Sequence, residues 1–162
     1  MAAAKSKRPP RAVREAARAT DQPVVRALYV ESSALLAAFL EGDSLAQHAL
    51  RGPGRRISSA LTLTESRRAI VRARALNRLT TDDERAIVRG LTTFARGCDI
   101  IGVTDDVLAR AGRPFPVEPI RTLDAIHLAT LELLGEPPYL VTVLTRDERV
   151  AANARALGYV VA

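Results

Sequence analysis

From residue 28 onward, short apolar runs alternate with longer stretches in which apolar side chains recur every three or four positions. That alternation is the signature of strands joined by crossover helices in a parallel sheet. Ala27-Leu28-Tyr29-Val30 predicts a first strand ending at Glu31, after which Ser32 or Ser33 caps a helix carrying Leu35, Leu36, Phe39 and Leu40. Gly42 breaks that helix. A short helix over Leu45 to Leu50 ends in the turn Gly52-Pro53-Gly54, Arg56 to Ser59 predicts a second strand, and Leu61 to Leu79 a long helix. Thr81-Asp82-Asp83-Glu84 has the spacing of a capping box and opens a helix running to Gly97. Asp99 to Val103 reads as a third strand, Thr104 caps a helix to Arg110, and Pro114, Pro116 and Pro119 keep the next stretch extended. Leu123 to Leu134 is helical, Tyr139 to Leu144 a strand, Arg146 to Leu157 the last helix and Gly158 to Val161 the closing strand. The expected fold is an α/β sandwich of three layers, with helices on both faces of a central parallel sheet. The chain carries no internal repeat.

The apolar pattern begins only at residue 27, and charge divides the chain at the same place. Lys5, Lys7, Arg8, Arg11, Arg14, Arg18 and Arg26 face only Glu15 and Asp21, so this segment holds five of the six net positive charges. The sequence pI near 10.4 therefore reflects a tail rather than a basic body. With Pro9, Pro10 and Pro23 and almost no large apolar groups, residues 1–26 cannot offset the entropy of folding and are expected to be a disordered extension. It would be suited to non-specific contact with nucleic-acid phosphates, or be merely solvated. The remaining residues, 27–162, suffice for one hydrophobic core. One cysteine, Cys98, rules out an intrachain disulfide, and no cluster of Cys and His suggests structural zinc. No run of about 18 apolar residues and no apolar signal segment occurs, so a cytoplasmic protein without a membrane span is expected.

Four acids interrupt the apolar pattern. Glu31 and Asp147 follow strands directly, while Glu65 and Asp124 sit inside helical stretches. In a parallel sheet, ligands lie beyond the carboxyl ends of the strands, which is where Glu31 and Asp147 fall, and helices packed on that edge can turn one carboxylate toward it. Acids are rarely buried unpartnered, so their recurrence suggests a shared cation, Mg²⁺ or Mn²⁺, both of which prefer oxygen donors. Ser32 and Thr145 could hydrogen-bond a carboxylate or a metal-bound water.

The segments Tyr29-Val30-Glu31-Ser32-Ser33-Ala34-Leu35-Leu36, Thr64-Glu65-Ser66-Arg67-Arg68-Ala69, Arg121-Thr122-Leu123-Asp124-Ala125-Ile126-His127-Leu128-Ala129 and Leu144-Thr145-Arg146-Asp147 follow one another in this order. In these the chain resembles the PIN-domain ribonucleases, specifically the VapC-type toxins of toxin-antitoxin pairs. The resemblance covers residues 27–162 and is most specific around Asp124. It implies a magnesium-dependent endoribonuclease in which Glu31, Glu65, Asp124 and Asp147 hold metal and metal-activated water attacks an RNA phosphodiester. It also implies a cognate antitoxin lying in a groove between the helices of Leu35 to Leu50 and Leu61 to Leu79. A homodimer is implied too, for which the Ile87, Val88, Leu91 and Phe94 stripe is a candidate face unless it is core. Candidates for RNA phosphate contacts are Arg67, Arg68, Arg121 and Arg146.

The chain departs from the family pattern at the first acid, where Asp is usual and Glu31 stands. The added methylene moves a carboxylate by roughly 1 to 1.5 Å, which an unadjusted octahedral site would tolerate poorly. The alternative function is accordingly a catalytically impaired PIN-like module that binds RNA or antitoxin. A basic-tailed DNA-binding factor ranks below both, because no helix-turn-helix pattern is present.

Each acid taken singly has an ordinary explanation. Glu65 would pair with Arg68 on a surface helix, while Asp124 and Asp147 would favour helix N-termini. Their joint order favours the metal site. Glu148 competes with Asp147 for that role. The acids following Thr81 and Thr104 read as helix caps and His48 as surface; His127 could serve as a ligand or general base, but its apolar neighbours favour a packed or hydrogen-bonded structural residue. Nothing suggests a serine or cysteine nucleophile, a Gly-rich nucleotide cradle or base stacking on aromatic side chains.

Overall fold

A computed structural model describes residues 27–162; the basic segment 1–26 and the expectations placed on it lie outside the described residues. Strands β1 (Ala27–Val30), β2 (Arg55–Ser59), β3 (Asp99–Ile101), β4 (Val141–Leu144) and β5 (Val160–Val161) form one sheet in the order β3-β2-β1-β4-β5. Every neighbouring pair is parallel, so each connection must cross over a face of the sheet. Helices make those crossings: α1 (Ser32–Leu36), prolonged by a π turn over Ala37–Glu41, α2 (Ser44–Arg51), α3 (Ala60–Ala75), α4 (Thr81–Arg96), α5 (Asp105–Ala111), α6 (Thr122–Glu132) and α7 (Glu148–Ala156).

The pleat assigns the layers. Alternate residues of a strand face opposite sides. Ala27, Tyr29, Ile57, Val141 and Val143 therefore point to one face, where they pack with Val107 of α5, Leu128 and Leu131 of α6 and Val150 of α7. Leu28, Val30 and Leu144 point to the other, against Leu35 of α1, Ile70 of α3 and Leu91 of α4. This is the three-layer α/β/α sandwich that the apolar pattern predicts.

Several boundaries differ from expectation for local reasons. The capping box belongs to Thr80 and Asp83: the Asp83 N–H donates to Thr80 Oγ1 (3.1 Å) and the Thr80 N–H to Asp83 Oδ2 (3.0 Å). Helix α3 stops at Ala75, four residues early, because Asn77 turns the chain back in the left-handed region (φ 55°), which Asn tolerates better than most residues. Tyr139 and Leu140 belong to a 3₁₀ turn over Pro138–Leu140, so β4 begins at Val141. The stripe considered as a dimer face is mostly core: Leu91 is buried and Ile87 and Phe94 pack against it, leaving Val88 exposed. No helix among the described residues is long and apolar enough to cross a membrane.

Candidate metal centre at the carboxyl edge of the sheet

All four acids singled out in the sequence line one cavity of about 310 Å³, together with Ser32, Ser33, Leu36, Arg121, Thr122 and Leu123. They arrive from four separated segments. Glu31 follows β1 directly and caps α1, with its N–H donating to the Leu144 carbonyl (3.0 Å). Glu65 lies one and a half turns into α3, Asp124 in the first turn of α6, and Asp147 caps α7. Glu148 turns away into solvent and pairs with Arg155, so it does not compete for the cavity.

Glu31 is the most enclosed of the four at 3 % exposure. A buried carboxylate needs donors, and it has them: Ser32 Oγ donates to Oε1 (2.6 Å), while Oε2 accepts from the Ser33 N–H (3.0 Å), Ser33 Oγ and Thr145 Oγ1 (2.8 Å). Ser32 and Thr145, expected to meet a carboxylate or a metal-bound water, therefore both hold Glu31. Thr145 Oγ1 also accepts from the Asp147 N–H (3.1 Å), joining the first acid to the fourth through one hydroxyl. With about four lone-pair positions per carboxylate, Oε2 is saturated and Oε1 keeps a free one.

That free side faces His127, whose Nε2 lies 3.7 Å from Glu31 Oε1 and 2.7 Å from Glu65 Oε2. An ionised carboxylate can only accept, so Nε2 carries the proton in the Glu65 contact. The Tyr29 hydroxyl sits behind the ring, 3.4 Å from Nδ1 and 3.2 Å from the His127 carbonyl. Burial and the Glu31 carboxylate push the Tyr29 phenol far above its ordinary range. Burial alone would raise the Glu65 carboxyl, but the hydrogen bond and charge of His127, with Ser32, outweigh it and leave Glu65 below its usual value. Among the described residues, atoms of Glu31, Glu65 and His127 lie within 4.8 Å of one another.

Asp124 and Asp147 form a second pair, linked by Arg149: Nε donates to Asp124 Oδ2 (3.3 Å) and Nη2 to Asp147 Oδ2 (2.9 Å). Burial, then the neighbouring Asp147 and Glu31, hold the Asp124 carboxyl above its ordinary value despite Arg149. Clustered carboxylates of this kind repel one another until a cation neutralises them. The donor set fits a hard divalent ion: carboxylate and hydroxyl oxygens surround the cavity, and Cys98 is not among its lining residues.

Of the arginines considered for phosphate contacts, Arg121 lines the cavity and Arg67 and Arg68 are exposed on α3. Arg146 is tied into the fold instead, through Asp43 (2.7 Å) and the carbonyls of Thr145 and Ala162. Two participants carry little signal in the sequence. Ser33 reads only as a possible cap, a part that Glu31 takes. Arg149 has no signal beyond its place two residues after Asp147. His127, one turn after Asp124 on the same helix face, is the packed and hydrogen-bonded histidine that its apolar setting predicts.

Residues 28–156 match the PIN domain family. Ribonuclease VapC46 of Mycobacterium tuberculosis is 36% identical over 138 residues, which is 83% of this chain and 95% of that protein. Among solved structures, M. tuberculosis VapC20, described as a sarcin-ricin loop cleaving toxin, superposes with a TM-score of 0.57 at 17% identity, over 82% of this chain and 96% of that one. A chain of a toxin-antitoxin complex from Klebsiella pneumoniae superposes with a TM-score of 0.52 at 22% identity, over 77% and 90%. The structural likenesses concern the fold, and the sequence matches carry the relationship: this chain belongs to the PIN-domain family, among the VapC toxins.

Proposed function

We propose that this chain is the ribonuclease toxin of a toxin-antitoxin pair, a divalent-metal-dependent endonuclease acting on RNA phosphodiesters in the cytoplasm. The observation that carries the proposal is the convergence of Glu31, Glu65, Asp124 and Asp147, from four separate segments, on one 310 Å³ cavity at the carboxyl edge of the sheet. The sequence match to a ribonuclease across nearly its whole length supports the choice of substrate. Residues 27–162 are proposed as the catalytic domain and 1–26 as a basic extension that adds non-specific affinity for RNA.

A bound Mg²⁺ or Mn²⁺ would acidify water, polarise a phosphoryl oxygen and offset charge on the leaving oxygen. The chain's own residues would hold and orient it. Glu31 offers Oε1, because Oε2 is saturated by Ser33 and Thr145. Glu65 is aimed by the His127 N–H, and Asp124 and Asp147 supply the remaining charge. Arg121, on the cavity wall, is suited to draw in a backbone phosphate, as is the exposed Arg68 three residues beyond Glu65, whereas Arg67, two residues on, lies on the far side of the helix.

An antitoxin partner is part of the proposal. The cavity beside α2 suits an inserted segment: about 650 Å³, walled by Ala38, Phe39, Leu50 and Phe94, with Arg51 and Arg56 at its edge. Its far wall is α4, so it is a different groove from the one between residues 35–50 and 61–79 that the resemblance implies. Self-association would use a face other than the Ile87-Leu91-Phe94 stripe, which the core has claimed.

The test is Mn²⁺ binding to the purified chain by calorimetry, with RNA cleavage assayed in parallel. Binding and cleavage that Asp124→Asn both removes would be the expected result. Cleavage that persists in excess chelator, or Mn²⁺ uptake indifferent to Asp124→Asn, would overturn the proposal.

A further inference from the structure

Asp147 spends both carboxylate oxygens on one residue. Oδ1 accepts the Arg149 N–H (2.8 Å) as the cap of α7, and Oδ2 accepts Arg149 Nη2 (2.9 Å). The same guanidinium reaches Asp124 Oδ2 through Nε at 3.3 Å. One side chain thus spans the two acids that come from different helices, and it is the cation that holds them together. Its partners differ in burial: the Asp124 and Asp147 side chains are 15% and 23% exposed, whereas Arg149 itself is 41% exposed. The acids are set deeper in the wall, while the cation already reaches solvent.

We infer that Arg149 is an internal counter-ion of the metal-free site, and that divalent cation binding is an exchange in which the guanidinium leaves Asp124 and Asp147. The inference rests on the proposed metal site. A cation drawing on Asp124 Oδ2 or Asp147 Oδ2 would share an oxygen with the guanidinium, at a separation where two positive charges repel, whereas Asp147 Oδ1 can keep its helix cap throughout. Without Arg149 the two acids would face each other uncompensated, with Glu31 adding to the repulsion, and the metal-free domain would be weaker for it. Arg149 therefore acts in two directions: it stabilises the protein before metal arrives, and it lowers the affinity with which metal is taken up. Exposed or half-exposed ion pairs are individually modest, so the penalty on binding is a factor of several rather than a block.

The full-length protein, Arg149→Met, Arg149→Lys and Asp124→Asn would be titrated with Mn²⁺ by calorimetry, and their thermal midpoints read in chelator-treated buffer. Methionine keeps an unbranched stem without the charge. Arg149→Met should bind Mn²⁺ about three- to tenfold more tightly than the parent chain, melt lower without metal, and gain more from its addition. Arg149→Lys, which can reach one carboxylate but not span both, should fall between them and decides the matter if the methionine variant does not fold. Binding seen only in Arg149→Met would be the same effect at its extreme. If Asp124→Asn abolishes Mn²⁺ binding while the Arg149 variants bind no better than the parent, the exchange is overturned and the metal site stands. Uptake by none of the proteins, or uptake indifferent to Asp124→Asn, overturns both.

Discussion

The Thr145 hydroxyl is a single atom on which two of the four acids depend, and replacing Thr145 by Val removes it at nearly constant volume. Thr145 is 4% exposed, so no water is at hand to replace what is lost. The hydroxyl donates to Glu31 Oε2 at 2.8 Å and accepts the Asp147 N–H at 3.1 Å. A hydrogen bond to a charged group contributes about 1.5–3 kcal/mol and a neutral one about 0.5–1.5 kcal/mol. The Ser33 hydroxyl, 3.2 Å from Thr145 Oγ1, cannot take over, because it already donates to Glu31 and accepts the Arg146 N–H (2.7 Å). Thr145→Val should therefore destabilise the metal-free protein by about 3 kcal/mol, which for a domain of this size lowers the thermal midpoint by about 10 °C. Thr145→Ser keeps the hydroxyl and loses one buried methyl, about 1 kcal/mol. Urea unfolding of the three proteins measures both differences. A valine variant no less stable than the serine one would refute the claim that this hydroxyl ties Glu31 to the start of α7.

Removing the imidazole by His127→Phe leaves Glu65 without the N–H that aims it (2.7 Å), and Mn²⁺ affinity should fall about tenfold or more by calorimetry. Asp124 and Glu65 should respond oppositely to neutralisation in metal-free buffer. Asp124 is held above its usual value, so its ionisation costs stability as pH rises from the unfolded value near 3.8 through the folded one. Asp124→Asn should thus raise the midpoint at pH 7 and lose the advantage below pH 3.8. Glu65 is held below its usual value of 4.5, so it contributes stability above that pH which is lost as pH falls through its folded pKa. Glu65→Gln should therefore lower the midpoint at pH 7, and a shift of both variants in one direction would contradict this account. Asn153, buried in α7, clamps the Val117 peptide at both N–H (2.9 Å) and carbonyl (2.8 Å). Asn153→Ala should cost about 2 kcal/mol and speed amide exchange at Val117, in the loop leading to Arg121.

The sheet was legible because its evidence is periodic. Strand β1 and the pleat of Tyr29 and Val30 to opposite faces follow from residue type alone, and so do the helices whose apolar stripes cover them. What the pattern could not fix were ends decided by single residues, such as the left-handed Asn77 or the choice of Thr80 over Thr81 as a cap. Of the site, the acids were legible as exceptions to an apolar pattern. Of their hydrogen-bond partners, Ser32 and Thr145 were legible from their places beside Glu31 and Asp147, whereas the parts of Ser33 and Arg149 and the particular acid that His127 meets were not. The contact of His127 with Glu65 and that of Arg149 with Asp124 depend on directions across 62 and 25 residues of chain. A sequence displays an acid out of place more readily than the ordinary residue that compensates for it.

That asymmetry bears on Glu31, the position at which the chain departs from the usual aspartate. The longer side chain was expected to disturb a small octahedral site, yet here its length is taken up within the protein. The carboxylate folds back to cap the Ser33 N–H (3.0 Å) as the shorter Asp147 caps Arg149, and it is then fixed by hydroxyls of Ser32, Ser33 and Thr145. Glu31→Asp can retain the cap but draws the carboxylate back by about one C–C bond, 1.5 Å, which takes it beyond hydrogen-bond reach of Thr145. The cost should be about 2 kcal/mol of metal-free stability, the worth of one hydrogen bond to a buried charge. In a Thr145→Val background that bond is already gone, so Glu31→Asp should then cost less than 1 kcal/mol, a coupling that a double-mutant cycle by urea unfolding measures. Equal costs in the two backgrounds would mean that glutamate at this position does not depend on Thr145, and the structural reason offered for its presence would fail.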